Sequence, residues 1–225
     1  MTELYKWWNG FRDANTGEIL LVPEPTKGYL RTVCGLPDGL LKAELSCIQP
    51  KNEKQAHVMN SMWKMCNDPE SPTTMIVSGG NGTGKSYLGA ALVHTLSILS
   101  LCSNCIDWDP YYTDEAMLLM KISSFGSEAF FRKVTRDCRL LVIDEFAMTQ
   151  WTPTDKKKME QILNVRYGNN LATVLLTNRT PSELYGVTGG PEGILSSQIR
   201  SRFAPGYNIE LTGVDLRRFD PDDPF

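Results

Sequence analysis

The sequence lacks a strong excess of charge of either sign. Its 23 basic and 26 acidic side chains leave a formal net charge of −3, which excludes a histone-like or arm-type nucleic-acid binder. Any surface that binds nucleic acid must therefore be a local basic patch on an acidic body. Internal repeats and low-complexity segments are also absent, and a hydrophobic fraction of 41% excludes wholesale disorder.

The amino terminus lacks the basic start, apolar run and small-residue cleavage site of a secretory signal. We therefore expect a cytoplasmic protein, in a bacterium or an infected host cell, whose six cysteines stay reduced. Cys102 and Cys105 have the spacing of a zinc-binding pair, but no second Cys or His pair lies near them in the sequence. The cysteines are expected to be small buried hydrophobic residues instead.

One run without formal charge covers the 21 residues Ser86–Ile106. That length could cross a bilayer, but the run contains hydroxyl, imidazole and amide side chains throughout. We expect a buried helix that leads into a buried strand, and no association with a membrane.

Apolar runs and periodicities predict strands that alternate with helices from residue 74 onward. The predicted strands are 74–78, 104–107, 140–143, 172–176 and 207–211. The predicted helices are 85–99, 113–122, 154–167 and 196–203, preceded by an amphipathic helix after Pro50. This alternation predicts an α/β fold with a parallel sheet covered by helices on both faces. Residues 1–44 carry many glycines and prolines and are expected to be irregular.

The segment between the first of these strands and the next helix matches the pattern G-x-x-x-x-G-K-[ST] at each defined position. Its glycines let successive N–H groups face phosphate oxygens, and the helix N-terminus adds partial positive charge. Lys85 is expected to reach the β- and γ-phosphates, and the Ser86 hydroxyl to bind Mg²⁺. The residues expected to bind ATP are Gly79, Gly80, Asn81, Gly82, Thr83, Gly84, Lys85, Ser86 and Tyr87.

Acidic and amide side chains follow two other predicted strands. Asp144 and Glu145 come after Leu140–Ile143, and Asn178 comes after the next strand. In a parallel sheet these strand ends lie beside the phosphate loop. Asp144 is expected to hold Mg²⁺, Glu145 to orient or activate the attacking water, and Asn178 to reach the γ-phosphate or that water. The acidic pair favours hydrolysis over phosphoryl transfer to a metabolite.

Arg200 and Arg202 are two residues apart on a predicted helix, so they point in different directions. One could contact the sheet, and the other could supply charge to a nucleotide in a neighbouring subunit. A solvated surface arginine is the alternative.

The segments GGNGTGKSYLGAAL, LLVIDEF, LLTN and IRSRF, in this order and spacing, resemble AAA+ ATPases of the bacterial helicase-loader type, DnaC and DnaI, with the transposition ATPase IstB as a close cousin. The resemblance covers roughly residues 45–218. It implies a P-loop NTPase with an AAA+ core and no C-terminal helical lid domain. Residues 1–44 would be a short irregular extension that could bind a partner, and residues 219–225 an acidic tail.

The resemblance also implies what the protein binds. It implies a DNA-replication protein, phage- or plasmid-encoded, that binds ATP and Mg²⁺. The implied partners are a hexameric replicative helicase and single-stranded DNA, and the protein would associate with itself through its ATP sites. Hydrolysis would be slow and would depend on oligomerisation or DNA. By position, Lys85 and Ser86 match Walker A, Asp144 and Glu145 match Walker B, and Asn178 matches sensor 1. Either Arg200 or Arg202 matches the arginine finger.

Single-stranded DNA contacts are implied for the segment after the second helix and for the loop after Walker B, where aromatic and basic groups suit base stacking and phosphate contact. The residues are Lys121, Phe125, Trp151, Thr152 and Thr154.

Both ends of the sequence leave alternatives open. The short extension shows no zinc ligand set, so Trp7, Trp8 and Phe11 are the candidate anchors for a partner. Residues 219–225 resemble the acidic tip of bacterial single-stranded-DNA-binding proteins, which predicts contacts with proteins that bind this tip; a frayed polar tail is the alternative. An IstB-like transposition ATPase acting on duplex DNA and a nucleotide-switched replication adaptor remain the alternative functions.

Overall fold

The computed structural model describes residues 25–43, 48, 50, 52–68, 70–101, 109–124, 126–186 and 193–212. Within them, five strands form one sheet in the order β2-β3-β4-β1-β5, and each neighbouring pair is parallel. The carboxyl ends of β1, β4 and β3 are therefore adjacent at one edge of the sheet. The strands are β1 (Thr74–Gly79), β2 (Tyr111–Asp114), β3 (Leu140–Asp144), β4 (Ala172–Thr177) and β5 (Tyr207–Leu211).

Helices occupy most of the connections between these strands. A 3-10 turn covers Asp38–Leu40, and a π-helical turn at Lys133–Asp137 continues the fifth helix. The helices are α1 (Lys27–Thr32), α2 (Glu53–Asn67), α3 (Lys85–Leu101), α4 (Glu115–Ser123), α5 (Glu128–Arg132), α6 (Pro153–Gly168), α7 (Pro181–Tyr185) and α8 (Ser197–Phe203).

Side-chain caps determine where the helices near the site begin. The Asp114 carboxylate accepts a hydrogen bond from the backbone N–H of Met117 and starts α4. Thr152 and Asp155 form a reciprocal capping box at the start of α6, with Pro153 at the first helical position. These contacts satisfy backbone donors that have no partner within a helix.

Two apolar layers enclose the sheet. On one face α2, α3 and residues 30–43 pack against the strands, through side chains that include Leu36, Met62, Leu92 and Val142. On the other face α4, α6 and α8 supply Leu118, Ile162 and Phe203. Helices therefore cover both faces, as the sequence predicts.

Most predicted elements are confirmed within one or two residues. The predicted strand at 104–107 lies outside the described residues and stays a prediction, whereas β2 at Tyr111–Asp114 is a strand that the sequence analysis did not predict. That run is short and lies between Pro110 and a helix cap, so its strand signal is weak. The buried helix predicted from Ser86 is confirmed in α3. None of the described helices is long and apolar enough to cross a membrane.

The cysteines that the structure describes are buried, as predicted. Cys34, Cys66 and Cys138 carry free thiols in the interior. Cys102 and Cys105 lie outside the described residues.

Candidate nucleotide-binding site

The phosphate-binding pattern forms a tight turn between β1 and α3. Gly79, Gly82 and Gly84 have φ values of +148°, +73° and +88°, in the region that side chains other than glycine rarely adopt. A Cβ on Gly79 would also overlap the carbonyl oxygen of Leu211. The backbone of the turn favours glycine at these three positions, two of which, Gly79 and Gly84, are the glycines that the sequence pattern defines.

Lys85 is folded back into this turn and is only 7% exposed. Its Nζ donates to the carbonyl oxygens of Gly79 at 2.8 Å and Gly80 at 2.7 Å. The Thr83 hydroxyl also donates to Gly80, at 3.0 Å. These contacts hold the ammonium group inside the curve, where the pattern predicts that phosphate binds.

Gln55, on α2, supports the turn from outside the motif. Its buried side-chain amide donates to the carbonyl oxygen of Thr83 at 3.4 Å. The sequence analysis does not identify this residue, because on sequence alone it is an ordinary polar position in an amphipathic helix.

A tyrosine that the sequence analysis missed contacts Asp144 next to Ser86. The hydroxyl of buried Tyr112 donates to Asp144 Oδ2, and the Ser86 side chain is near the same hydroxyl. Asp144 Oδ1 accepts from the backbone N–H of Glu145 at 2.8 Å. Burial, followed by the charge of Asp144, raises the pKa of Tyr112 well above its ordinary value, so its hydroxyl keeps its proton.

Glu145 and Asn178 complete the group at the carboxyl edge. Glu145 is exposed and its backbone has φ +52°, which turns the chain sharply after β3. Asn178 follows β4 and donates through Nδ2 to Asn81 Oδ1 at 2.7 Å. The structure therefore brings the residue predicted as sensor 1 into direct contact with the phosphate-binding turn.

The two candidate finger arginines do point in different directions. Arg200 is exposed, and its Nη1 donates to the carbonyl oxygen of Tyr185 at 3.0 Å. Arg202 is partly buried against α6, where it donates to Asn164 Oδ1 and lies 5.2 Å from the centroid of the Tyr167 ring. Both arginines make contacts within the subunit, but Arg200 is exposed whereas Arg202 is partly buried.

Buried Glu115 ties the loop after β3 to α4. Its carboxylate accepts from the backbone N–H of Ala147 and from the Thr149 hydroxyl. From the β4 side, the Thr177 hydroxyl donates to Phe146 O at 2.6 Å and Arg179 Nε donates to Ala147 O at 2.9 Å. This loop carries Ala147 at φ +58°, so several side chains fix a backbone conformation that alanine rarely adopts.

Three of the residues predicted to contact DNA, Lys121, Trp151 and Thr152, make contacts within the subunit. Lys121 Nζ donates to the Tyr111 hydroxyl at 3.1 Å and lies 5.2 Å from the Phe130 ring centroid. The Trp151 ring packs edge-on against Phe146, with centroids 5.5 Å apart. The Thr152 hydroxyl caps α6. Thr154 is exposed on the first turn of α6.

The Lys158 side chain joins α4 and α6 near Lys121, because its Nζ donates to Ser123 Oγ at 2.7 Å.

Several predicted contact residues lie outside the described residues. They are Phe125, the candidate anchors Trp7, Trp8 and Phe11, and the acidic tail at 219–225. The contacts with DNA and with partner proteins therefore stay predictions.

The donor set fits a nucleotide with its magnesium ion. A serine hydroxyl and a carboxylate are the hard oxygen ligands that Mg²⁺ prefers, and Mg²⁺ commonly takes only one or two protein ligands together with phosphate oxygens. Lys85 lies within the turn that precedes them. Ser86 and Asp144 are the side chains that would hold the ion.

Comparisons with known proteins agree with this arrangement. No protein-family model matches the chain. The chromosomal replication initiator protein DnaA of Lactobacillus johnsonii is 26% identical over 144 residues, which is 63% of this chain and 29% of that initiator. The chain therefore spans less than a third of the length of that relative.

Solved structures share the fold over most of the chain. The crystal structure of DnaI matches with a TM-score of 0.62 and 18% identity, covering 81% of this chain and 94% of the chain in that structure. The crystal structure of the DnaC helicase loader matches with a TM-score of 0.56 and 17% identity, covering 78% of this chain and 100% of the chain in that structure. The replication initiator DnaA bound to AMPPCP and single-stranded DNA matches with a TM-score of 0.58 and 20% identity, covering 79% of this chain and 52% of that chain. The chain has the AAA+ P-loop fold of DnaI, DnaC and DnaA, and the resemblance seen in its motifs is confirmed at the level of the fold.

Proposed function

We propose that this protein is a Mg²⁺-dependent ATPase that loads a replicative helicase onto single-stranded DNA. One observation carries the proposal: the phosphate-binding turn, Asp144, Glu145 and Asn178 meet at the carboxyl edge of the sheet, where Asn178 contacts Asn81 at 2.7 Å. Nucleotides bind at this edge in open parallel sheets. The solved DnaA structure with AMPPCP has the same fold.

Each residue of the site has a distinct task in this proposal. Lys85 and the N–H groups of the turn bind the phosphates, while Ser86 and Asp144 hold Mg²⁺, which neutralises charge on the phosphate oxygens. Glu145, exposed after β3, orients and deprotonates the attacking water. Asn178 detects whether the γ-phosphate is present and passes that difference to the turn through Asn81.

Self-association completes the site. Arg200 is the better candidate for the finger because its side chain reaches the surface, whereas Arg202 is engaged by Asn164 and Tyr167 within the subunit. A neighbour's arginine would stabilise the charge that develops during hydrolysis, so turnover should rise with protein concentration.

The helicase as partner and single-stranded DNA as cargo rest on similarity. DnaC, whose fold this chain shares, is a helicase loader, and a DnaA structure with this fold holds single-stranded DNA. The motif resemblance to the DnaC and DnaI type supports the loader over the initiator.

Complex formation tests the proposal. We would mix the purified protein with the replicative helicase of its host, add the slowly hydrolysed analogue ATPγS or ADP, and determine the mass of the eluting species by light scattering. We expect a joint complex whose stoichiometry depends on the nucleotide. Lys85→Ala should abolish that dependence, and Arg132→Ala, a change at an exposed side chain on α5, should preserve it. If no complex forms with either nucleotide, the loader proposal is wrong, and growth of filaments on duplex DNA would favour the transposition ATPase.

A further inference from the structure

The Tyr112 hydroxyl contacts one side chain assigned to Mg²⁺ and neighbours the other. It donates to Asp144 Oδ2, the Ser86 side chain is near the same hydroxyl, and the residue is 3% exposed. A tyrosine hydroxyl has a single proton. Because that proton goes to Asp144, Tyr112 has none to give to Ser86.

The hydrogen bonds made to Asp144 determine which of its electron pairs are available to a metal. Since the single proton of Tyr112 goes to Asp144, Tyr112 does not donate to the Ser86 oxygen and does not occupy its lone pairs. Asp144 receives one hydrogen bond on each oxygen, from Tyr112 and from the backbone N–H of Glu145. Each of its oxygens keeps a further lone pair. Asp144 is therefore oriented by two donors while both of its oxygens remain able to bind a cation.

Tyr112 is itself fixed by the segment that precedes the ATPase core. Its backbone N–H donates to the carbonyl oxygen of Cys34 at 2.8 Å. The adjacent Gly35 has φ +75°, and a Cβ there would overlap the carbonyl oxygen of Tyr112. Lys133 Nζ donates to Val33 O at 2.8 Å. Residues 33–35 thus hold the outer side of β2, which has a strand neighbour only in β3 within the described sheet.

We propose that Tyr112 is a positioning residue for Mg²⁺: its hydroxyl orients the Asp144 carboxylate beside Ser86, and residues 33–35 hold it in place. The inference rests on the proposed nucleotide site and adds to it a residue that lies outside the Walker motifs. Groups that orient metal ligands through hydrogen bonds typically change metal affinity by about 10- to 100-fold when they are removed. Tyr112 should therefore affect the part of nucleotide affinity that depends on Mg²⁺, and leave the phosphate contacts of the turn unaffected.

Nucleotide binding with and without the metal isolates this effect. We would measure the ADP dissociation constant by calorimetry, in excess Mg²⁺ and in EDTA, for the full chain and for Tyr112→Phe. The phenylalanine ring keeps the packing of Tyr112 and removes only the hydroxyl. The gain from Mg²⁺ is the factor by which the metal lowers the ADP dissociation constant. We expect Tyr112→Phe to leave the dissociation constant in EDTA unchanged and to make this gain about 10-fold smaller than in the unmodified protein. Tyr111→Phe is the matched control, because the Tyr111 hydroxyl bonds to Lys121, and it should keep the full gain.

Two results would overturn the inference while the proposed function stands. An equal gain from Mg²⁺ in Tyr112→Phe would mean that the residue only packs, and a larger gain would mean that its hydroxyl competes with the metal. Failure of the unmodified protein to bind ADP would instead overturn the proposed function itself.

A second pair of variants tests the role given to residues 33–35. Gly35→Ala would displace the carbonyl of Tyr112, whereas a Cβ on Gly39 meets no heavy atom within 4 Å. We expect the gain from Mg²⁺ to shrink in Gly35→Ala and to persist in Gly39→Ala. An unchanged gain in Gly35→Ala would contradict the role given to residues 33–35.

Discussion

At the scale of single residues, Arg166 is a cation buried among backbone carbonyls. It is fully buried, and its guanidinium donates to Val134 O at 2.7 Å, Cys138 O at 3.0 Å and Ala172 O at 2.6 Å. Its Nε also donates to the Thr173 hydroxyl at 2.9 Å. Burial lowers the pKa of Arg166, but an arginine side chain stays protonated in proteins. One side chain thereby joins α6, the π-helical turn and the first residues of β4.

Replacing Arg166 with Met should destabilise the protein severely. The change leaves several buried carbonyl oxygens without donors, at about 1–3 kcal/mol for each, so we expect the free energy of unfolding to fall by at least about 3 kcal/mol in urea titrations. Arg136→Ala, at an exposed site of the neighbouring turn, should change it by less than about 0.5 kcal/mol. Similar stabilities for the two variants would contradict the structural role of Arg166.

Buried thiols should resist alkylation in the folded protein. Burial raises the pKa of Cys34 to about 11 and that of Cys66 to about 12. Since the thiolate is the reactive form, both should react with iodoacetamide much more slowly in buffer at about pH 8 than in urea, where thiol pKa values return to about 8.5. Mass spectrometry of each modified cysteine measures the two rates. Equal rates in buffer and urea would show that these residues are not buried.

At the scale of elements, the loop after β3 depends on α4. Glu115 lies at the start of α4 and accepts hydrogen bonds from two groups of the loop. We expect Glu115→Gln to slow ATP hydrolysis at least several-fold, because the loop begins at Glu145, and to leave nucleotide affinity nearly unchanged. Turnover and dissociation constants, measured together, separate the two effects. Glu128→Gln, on the exposed first turn of α5, is the control, and an equal loss of turnover in both variants would exclude a specific role for Glu115.

The surface where α4 meets α6 is the candidate interface for single-stranded DNA. Lys158 joins the two helices through Ser123, and Lys121 lies on the same end of α4. We expect Lys121→Ala to weaken binding of a fluorescent oligothymidylate and to reduce the slope of log affinity against log salt by about 0.7, the effect of one phosphate contact. Lys64→Ala, exposed on α2 at the opposite face, should leave both unchanged. Equal effects of the two substitutions would point to a non-specific loss of charge.

At the scale of the whole molecule, the phosphate turn and the strands of the sheet other than β2 were predictable because their signals are local. Leu140–Ile143 is an unbroken apolar run, as central parallel strands require, and the glycines of the turn are required by its backbone angles. Pairing of parallel strands then brings Asp144 and Asn178 to the same edge. The predicted positions of these side chains follow from strand polarity alone.

The remaining parts of the site depend on contacts between residues far apart in the chain. Three of these contacts join residues that are about thirty positions apart. Tyr112 contacts Asp144, Glu115 contacts Ala147, and Arg166 contacts Val134. In the sequence they are an aromatic residue near a helix start, an acidic residue in a first helical turn and a cation late in a helix. Nothing local distinguishes them from exposed positions, so only the fold identifies them.

Transfer of a helicase onto closed circular DNA tests the central claim most directly. A ring-shaped helicase cannot thread onto a circle without being opened, so unwinding of an oligonucleotide annealed to circular single-stranded DNA reports loading. We expect this protein with ATP to stimulate unwinding by the replicative helicase of its host, and Lys85→Ala to give no stimulation. Stimulation that is equal for Lys85→Ala, or absent for the unmodified protein, would contradict the account of an ATP-dependent helicase loader.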